Sequence, residues 1–146
     1  MGEEEKLVQA EFRQLEGTNQ RYFIYTFALH WRVEDLRAAM EPGRAIVTTQ
    51  LADGEKVESI FYFSQTEKFD GVNLLGEMRR MLSDPLSERF SYSSIVGLSR
   101  LTLDLVNVIV SIGKRLYHDR VTVGFYLSLE EALAAMRERA RTDQRS

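Results

Sequence analysis

Residues 60–78, IFYFSQTEKFDGVNLLGEM, pass from an apolar strand through a polar loop to Asp-Gly and then into a helix. Leu74, Leu75, Met78, Met81 and Leu82 recur at helical intervals, so the spacing predicts a helix over 71–82. Ser83-Asp84-Pro85 stops it, because the residue before proline is pushed out of the helical region. Asp70 has the chemistry of an N-cap. Its carboxylate accepts from exposed backbone N–H groups at the positive end of the helix dipole, and Gly71 lets the chain turn. A strand feeding a helix in this way is the unit of an α/β sheet, and the flanking sequence repeats it.

Upstream, Val8, Ala10 and Phe12 alternate with polar residues, the pattern of a half-buried strand. Glu16-Gly17-Thr18-Asn19 supplies a turn. RYFIYTFAL, residues 21–29, is apolar on both faces and reads as a central strand, paired with the first as a hairpin. Val33, Leu36 and Met40 have helical spacing, and Pro42-Gly43 is expected to interrupt it. RAIVTTQLA, residues 44–52, fits strand or helix. A second helical piece is favoured, with Pro42 in its first turn and Asp53-Gly54 as its end. Val57–Phe63 reads as a strand.

Downstream, YSSIV (92–96) is a short strand, Leu98–Tyr117 the longest helix and Val121–Tyr126 the last strand. Ser128-Leu129-Glu130-Glu131 fits a capping box that opens a helix through about Arg139, after which RTDQRS is expected to fray. A hairpin followed by alternating helices and strands predicts an α/β fold. Its mixed, mostly parallel sheet has about four to five strands, with about four helices and right-handed crossovers. One domain over 1–146, with an ordered core of about 7–140, accounts for the chain.

The totals narrow the function. The chain has 146 residues, 44% of them hydrophobic and 28% charged, enough for one core. It has no cysteine, which removes disulfides, thiolate zinc sites and thiol catalysis together. The net charge is -3 with both signs interleaved, so no basic stripe invites nucleic acid. No apolar run approaches the ~20 residues that cross a bilayer. MGEEEK is acidic where a secretory signal is basic, so a cytoplasmic location is expected.

Three stretches carry a resemblance. Residues 25–36, YTFALHWRVEDL, are a strand leading through Trp to a helix with Glu-Asp in its first turn. Ile95-Val96-Gly97 is a strand running into a helix, and residues 118–136, HDRVTVGFYLSLEEALAAM, are a strand followed by Ser-Leu-Glu-Glu-Ala-Leu. Together they span most of residues 7–140, and the arrangement resembles the STAS domain. That fold belongs to anti-sigma-factor antagonists and to the cytoplasmic domains of sulfate transporters, and the chain looks closest to a bacterial STAS-like branch. None of these pieces is a catalytic signature.

In phosphorylated members of that family an acceptor Ser sits at the start of the second helix, after an Asp. The corresponding stretch here is Phe69-Asp70-Gly71-Val72-Asn73. Asp70 matches the family Asp, but Gly71 and Val72 stand where the serines would be. Ser64 and Thr66 are the nearby hydroxyls that could be modified instead. The resemblance implies a non-catalytic protein–protein interaction module, regulatory in role, with Asp70 and Asn73 presented to a partner protein.

The remaining candidates follow from position. Ligands collect at the carboxyl ends of parallel strands, where Trp31, Ser99 and Arg100 join Asp70 and Asn73 as a partner face. Ser99-Arg100 at a helix start has the chemistry to hold an anion, but the stretch lacks the spacing and the Lys of a phosphate loop. His30 and His118 are the only histidines, and neither has a carboxylate at ligand spacing. No nucleophile–base pair stands out, so no catalytic residue, cofactor or metal is expected.

The long helix is the most informative element. Its apolar arc spans about 220°, whereas burial of one face on a sheet needs about 100°. Leu103, Val106, Val110 and Tyr117 lie on the surplus, a candidate homodimer face. The alternative function is a carrier of a small apolar ligand or lipid, lined by Tyr22, Tyr25, Phe61 and Phe63.

Overall fold

The computed structural model describes residues 8–27, 31–51, 55–63, 80, 89–97, 111 and 122–145. Five strands form one mixed sheet in the order β1-β2-β3-β4-β5, numbered along the chain. They are β1 (Val8–Gln14), β2 (Arg21–Phe27), β3 (Val57–Tyr62), β4 (Phe90–Val96) and β5 (Val123–Tyr126). β1 and β2 are antiparallel, and each later strand adds in parallel to the one before it. The N-terminal hairpin and the mostly parallel sheet therefore match the sequence reading.

Two helices lie among the described residues, against the expected four or so: α1 (Val33–Thr49) and α2 (Leu129–Arg145). The helices expected at 71–82 and 98–117 fall outside the described residues. Of those two segments only Arg80 and Ser111 are described, and both are helical. No helix among the described residues is long and apolar enough to cross a membrane.

The hairpin turn follows from its sequence. Gly17 takes a positive φ of 78°, a conformation that strains any residue with a Cβ. The Thr18 hydroxyl donates to the Leu15 carbonyl at 2.9 Å and accepts from the Gln20 N–H at 3.1 Å. β1 is an edge strand, and its outward Glu11 and Arg13 pair with each other, a charged edge that discourages pairing with another chain.

The period-2 alternation of β2 divides the core. Phe23, Tyr25 and Phe27 face α1 and pack with Val8, Leu36, Val47, Val57 and Phe63. Tyr22 and Ile24 face the other way, toward α2, and pack with Leu15, Ile60, Val96, Ala132 and Met136. Each buried large apolar side chain contributes about 1.5–3 kcal/mol, which explains why a strand apolar on both faces sits inside the sheet.

α1 corrects the sequence reading. Pro42-Gly43 does not interrupt it, and residues 44–49 continue the same helix, with Pro42 inside. Leu36, Met40, Gly43 and Val47 form one stripe across the proline, at spacings of four, three and four residues. Pro42 lies on the exposed side. Its missing N–H leaves only the exposed Ala38 carbonyl, which water can satisfy, so burial of the stripe outweighs a cost of about 3 kcal/mol. Gly43 sits against the sheet, where a Cβ would lie 3.3 Å from Phe23 Cε1. The helix starts as its sequence suggests, with the Arg32 N–H donating to Asp35 Oδ2 at 2.8 Å.

α2 also departs from expectation, running to Arg145 rather than fraying after Arg139. Ala140 is buried, Glu138 pairs with Arg141 at 2.8 Å, and the Thr142 hydroxyl donates to the Glu138 carbonyl at 3.0 Å. These contacts hold the last turns. At its start the Ser128 hydroxyl accepts from the Glu131 N–H at 3.2 Å, as the capping box predicts. Glu131 reaches one residue further back than expected and accepts from the Leu127 N–H at 3.3 Å.

Candidate functional site

Parallel pairing brings the carboxyl ends of β2, β3, β4 and β5 to one edge of the sheet. Trp31 sits there, half-buried, edge-on to Phe27 at 4.8 Å between ring centroids and 6.0 Å from Phe63. Its indole N–H is buried and finds no hydrogen-bond partner among the described residues. Leu127 follows β5 on the same edge and is 74% exposed. α1 and α2 both begin at this edge, with Glu34 and Asp35 in one first turn and Glu130 and Glu131 in the other. The edge thus combines an exposed leucine and a tryptophan with acidic helix starts, each carboxylate favoured by its helix dipole.

The other partner-face candidates, Asp70, Asn73, Ser99 and Arg100, lie outside the described residues. So do Ser64 and Thr66, the candidates for a dimer face Leu103, Val106, Val110 and Tyr117, and both histidines. Of the aromatic set proposed to line an apolar cavity, Tyr25, Phe61 and Phe63 share the α1 face, and Tyr22 lies on the opposite one. Tyr25 stacks on Phe61 at 5.3 Å, and Phe27 stacks on Phe63 at 4.1 Å. Burial pushes the Tyr25 hydroxyl well above the usual phenol range.

The strongest concentration of chemistry lies under α2, and the sequence reading missed it. Glu58 on β3 is 3% exposed, and a buried carboxylate needs a partner. Arg139 on α2 provides it. Its Nε donates to Oε1 and Oε2 at 3.2 and 3.1 Å, and its Nη2 donates to Oε1 at 2.6 Å. Arg139 Nη1 donates to the Tyr126 hydroxyl at 3.2 Å, and the two hydroxyls of Tyr126 and Tyr92 are 2.9 Å apart. The guanidinium carbon lies 3.6 Å from the centroid of the Tyr92 ring, a cation–π contact.

Backbone irregularity builds this group. The ladder between β3 and β4 shifts register at Val57/Glu58, so Phe90 pairs with Val57 and Tyr92 with Glu58. Ser91 is the extra residue of the bulge, and the shift turns Tyr92 onto the face that carries Glu58. Gly124 on β5 leaves the room Tyr92 needs, because a Cβ there would overlap Tyr92 Oη and lie 2.9 Å from Cζ. On the same face the Ser94 hydroxyl is fully buried and has no hydrogen-bond partner among the described residues.

The electrostatics favour holding a charge over moving a proton. Burial, and then the hydrogen bond with Tyr126, push the Tyr92 hydroxyl up to about 12. Burial disfavours the charge of Arg139, yet its hydrogen bonds to Glu58 and Tyr126 outweigh that, and its pKa is raised. The group is therefore a pair of hydrogen-bonded tyrosine hydroxyls beside a closed Glu–Arg contact. No cluster of His, Asp or Glu among the described residues could hold a metal ion. One signal in the sequence pointed here: Glu58 is a charge inside the apolar run VESIFYF, and such a residue is buried only when paired. The bulge that delivers Tyr92 leaves no comparable mark.

Compared with family models, with curated proteins and with solved structures, the chain matches none.

Proposed function

We propose that the chain is a STAS-like, non-catalytic protein–protein interaction module, regulatory in role and cytoplasmic. The sheet order supports the fold part of this reading: an antiparallel hairpin, then successive parallel strands, with helices after the second and the last. Fold alone assigns no function. The observation that carries the functional part is the carboxyl edge, where Leu127 is largely exposed beside acidic helix starts, with Trp31 on the same edge. An apolar anchor with a polar rim is the usual anatomy of a protein interface.

Asp70, Asn73, Ser99 and Arg100 extend this partner face in the proposal. Leu103, Val106, Val110 and Tyr117 supply a separate face for a homodimer. With Gly71 and Val72 at the acceptor positions, the module works by shape, or through Ser64 or Thr66 if these are modified. The partner-face test compares the immobilised parent chain with Leu127→Glu in a native lysate of the host. A protein retained by the parent and lost from the variant supports the reading. Identical retention by both removes the carboxyl edge from it.

A further inference from the structure

The two edges of the sheet differ in kind. β1 lies at one edge and carries the paired Glu11 and Arg13, a charged arrangement that deters a further strand. β5 lies at the other, and residues 121–127, VTVGFYL, contain neither charge nor proline. The Thr122 and Tyr126 carbonyls accept from the Ser93 N–H at 2.9 Å and the Gly97 N–H at 3.1 Å, so these residues turn their main chain toward β4. Main-chain direction alternates along a strand. Val123 and Phe125 therefore turn theirs outward, where no strand among the described residues pairs with them. Their side chains pack against the core cluster on the α1 face, which holds the edge in place. Leu127 ends the open stretch, because its N–H donates to Glu131 Oε2 at 3.3 Å.

We propose that the outward edge of β5 pairs antiparallel with β5 of a second copy of this chain, about a two-fold axis at Gly124, and so joins the two sheets into one. Val123 of each copy then lies opposite Phe125 of the other, and each such pair exchanges two N–H···O bonds. The same pairs set a β-branched side chain beside an aromatic one, a favourable cross-strand combination. Gly124 meets Gly124 of the second copy at the close, non-hydrogen-bonded position, with about 4.5 Å between Cα atoms. Charge and symmetry favour this occupant over a different strand. An uncharged edge fits an uncharged strand, and the chain supplies one that matches itself when read in the opposite direction. The charged β1 edge then stops assembly at two copies, a closed two-fold dimer. This inference rests on the homodimer proposed above and deepens it: Leu103, Val106, Val110 and Tyr117 fall in the stretch of chain that links β4 to β5.

Val123→Pro tests the pairing. Proline removes an outward N–H without touching the ladder to β4, and an edge strand tolerates it there. Light scattering should give the parent chain at twice the single-chain mass. The variant, folded by circular dichroism, should show a dimer dissociation constant raised at least about tenfold, for the loss of one hydrogen bond from each copy. An unchanged constant overturns the proposal and leaves the homodimer reading standing. A parent chain at the single-chain mass at every concentration overturns both. If Val123→Pro does not fold, amide hydrogen exchange of the parent decides. The Phe125 amide should exchange at least about tenfold more slowly in the dimer than in the chain diluted to its single-chain mass. The Gly124 and Tyr126 amides, which face β4, should change less. A Phe125 amide that exchanges at the same rate in both overturns the proposal.

Discussion

Arg139→Leu isolates the largest electrostatic commitment in the described structure. The substitution keeps apolar contact but leaves the Glu58 carboxylate, whose side chain is 5% exposed, without its cation. Removing one member of a buried ion pair costs about 3–5 kcal/mol, because the remaining charge stays desolvated and unpaired. Arg139 itself is a quarter exposed, so water can reach part of the vacated space, and the lower end, about 3 kcal/mol, is expected. For a domain of this size that corresponds to a fall in Tm of roughly 6–12 °C. Urea denaturation followed by circular dichroism measures it, provided the slope stays constant. The double variant Glu58→Leu/Arg139→Leu removes both charges and should recover most of the loss, as a hydrophobic replacement of a buried pair often does. A loss below about 1 kcal/mol for Arg139→Leu, with no recovery in the double variant, would refute the reasoning, since Glu58 would then be solvated.

Three further outcomes are expected. The Tyr92 hydroxyl sits at about 12 in the folded chain, above its ordinary value of about 10. Its contribution is therefore complete below pH ~10 and is lost as the pH rises through ~12; Tyr92→Phe should shallow this alkaline decline, and an unchanged profile contradicts the assignment. Ser94→Ala removes a buried hydroxyl that has no partner among the described residues, so chemical denaturation should find it neutral or stabilising by up to about 1 kcal/mol; a loss of that size would reveal a partner. Gly124→Ala drives a methyl into Tyr92 and should cost about 1–3 kcal/mol, with Tyr92→Ala in the same chain making the added methyl nearly neutral; additive losses would place Tyr92 elsewhere.

The strands were legible because their chemistry is local. β2 is apolar on both faces, β1 alternates, and the turn between them is written in Gly17 and Thr18. The Ser128 cap was legible for the same reason. What misled was punctuation judged without its tertiary context. Pro42-Gly43 looks like a break, yet the stripe from Leu36 to Val47 continues through it, with the proline outward and the glycine against Phe23. α2 runs on to Arg145 with Ala140 buried, and a run of charged residues gives no sign of that burial. The Glu58–Arg139 contact spans 81 residues and depends on a register shift, so no local pattern announces it. At the carboxyl edge the sequence supplied Trp31 but passed over Leu127, whose exposure depends on where β5 stops.

Self-association is the part of the functional reading most directly open to measurement. Light scattering on a size-exclusion column, over a wide range of concentrations, should give twice the 16.9 kDa of the chain, and Val106→Glu/Val110→Glu should give a folded protein at the single-chain mass. A parent chain that elutes at the single-chain mass at every concentration would contradict the dimer face on Leu103, Val106, Val110 and Tyr117.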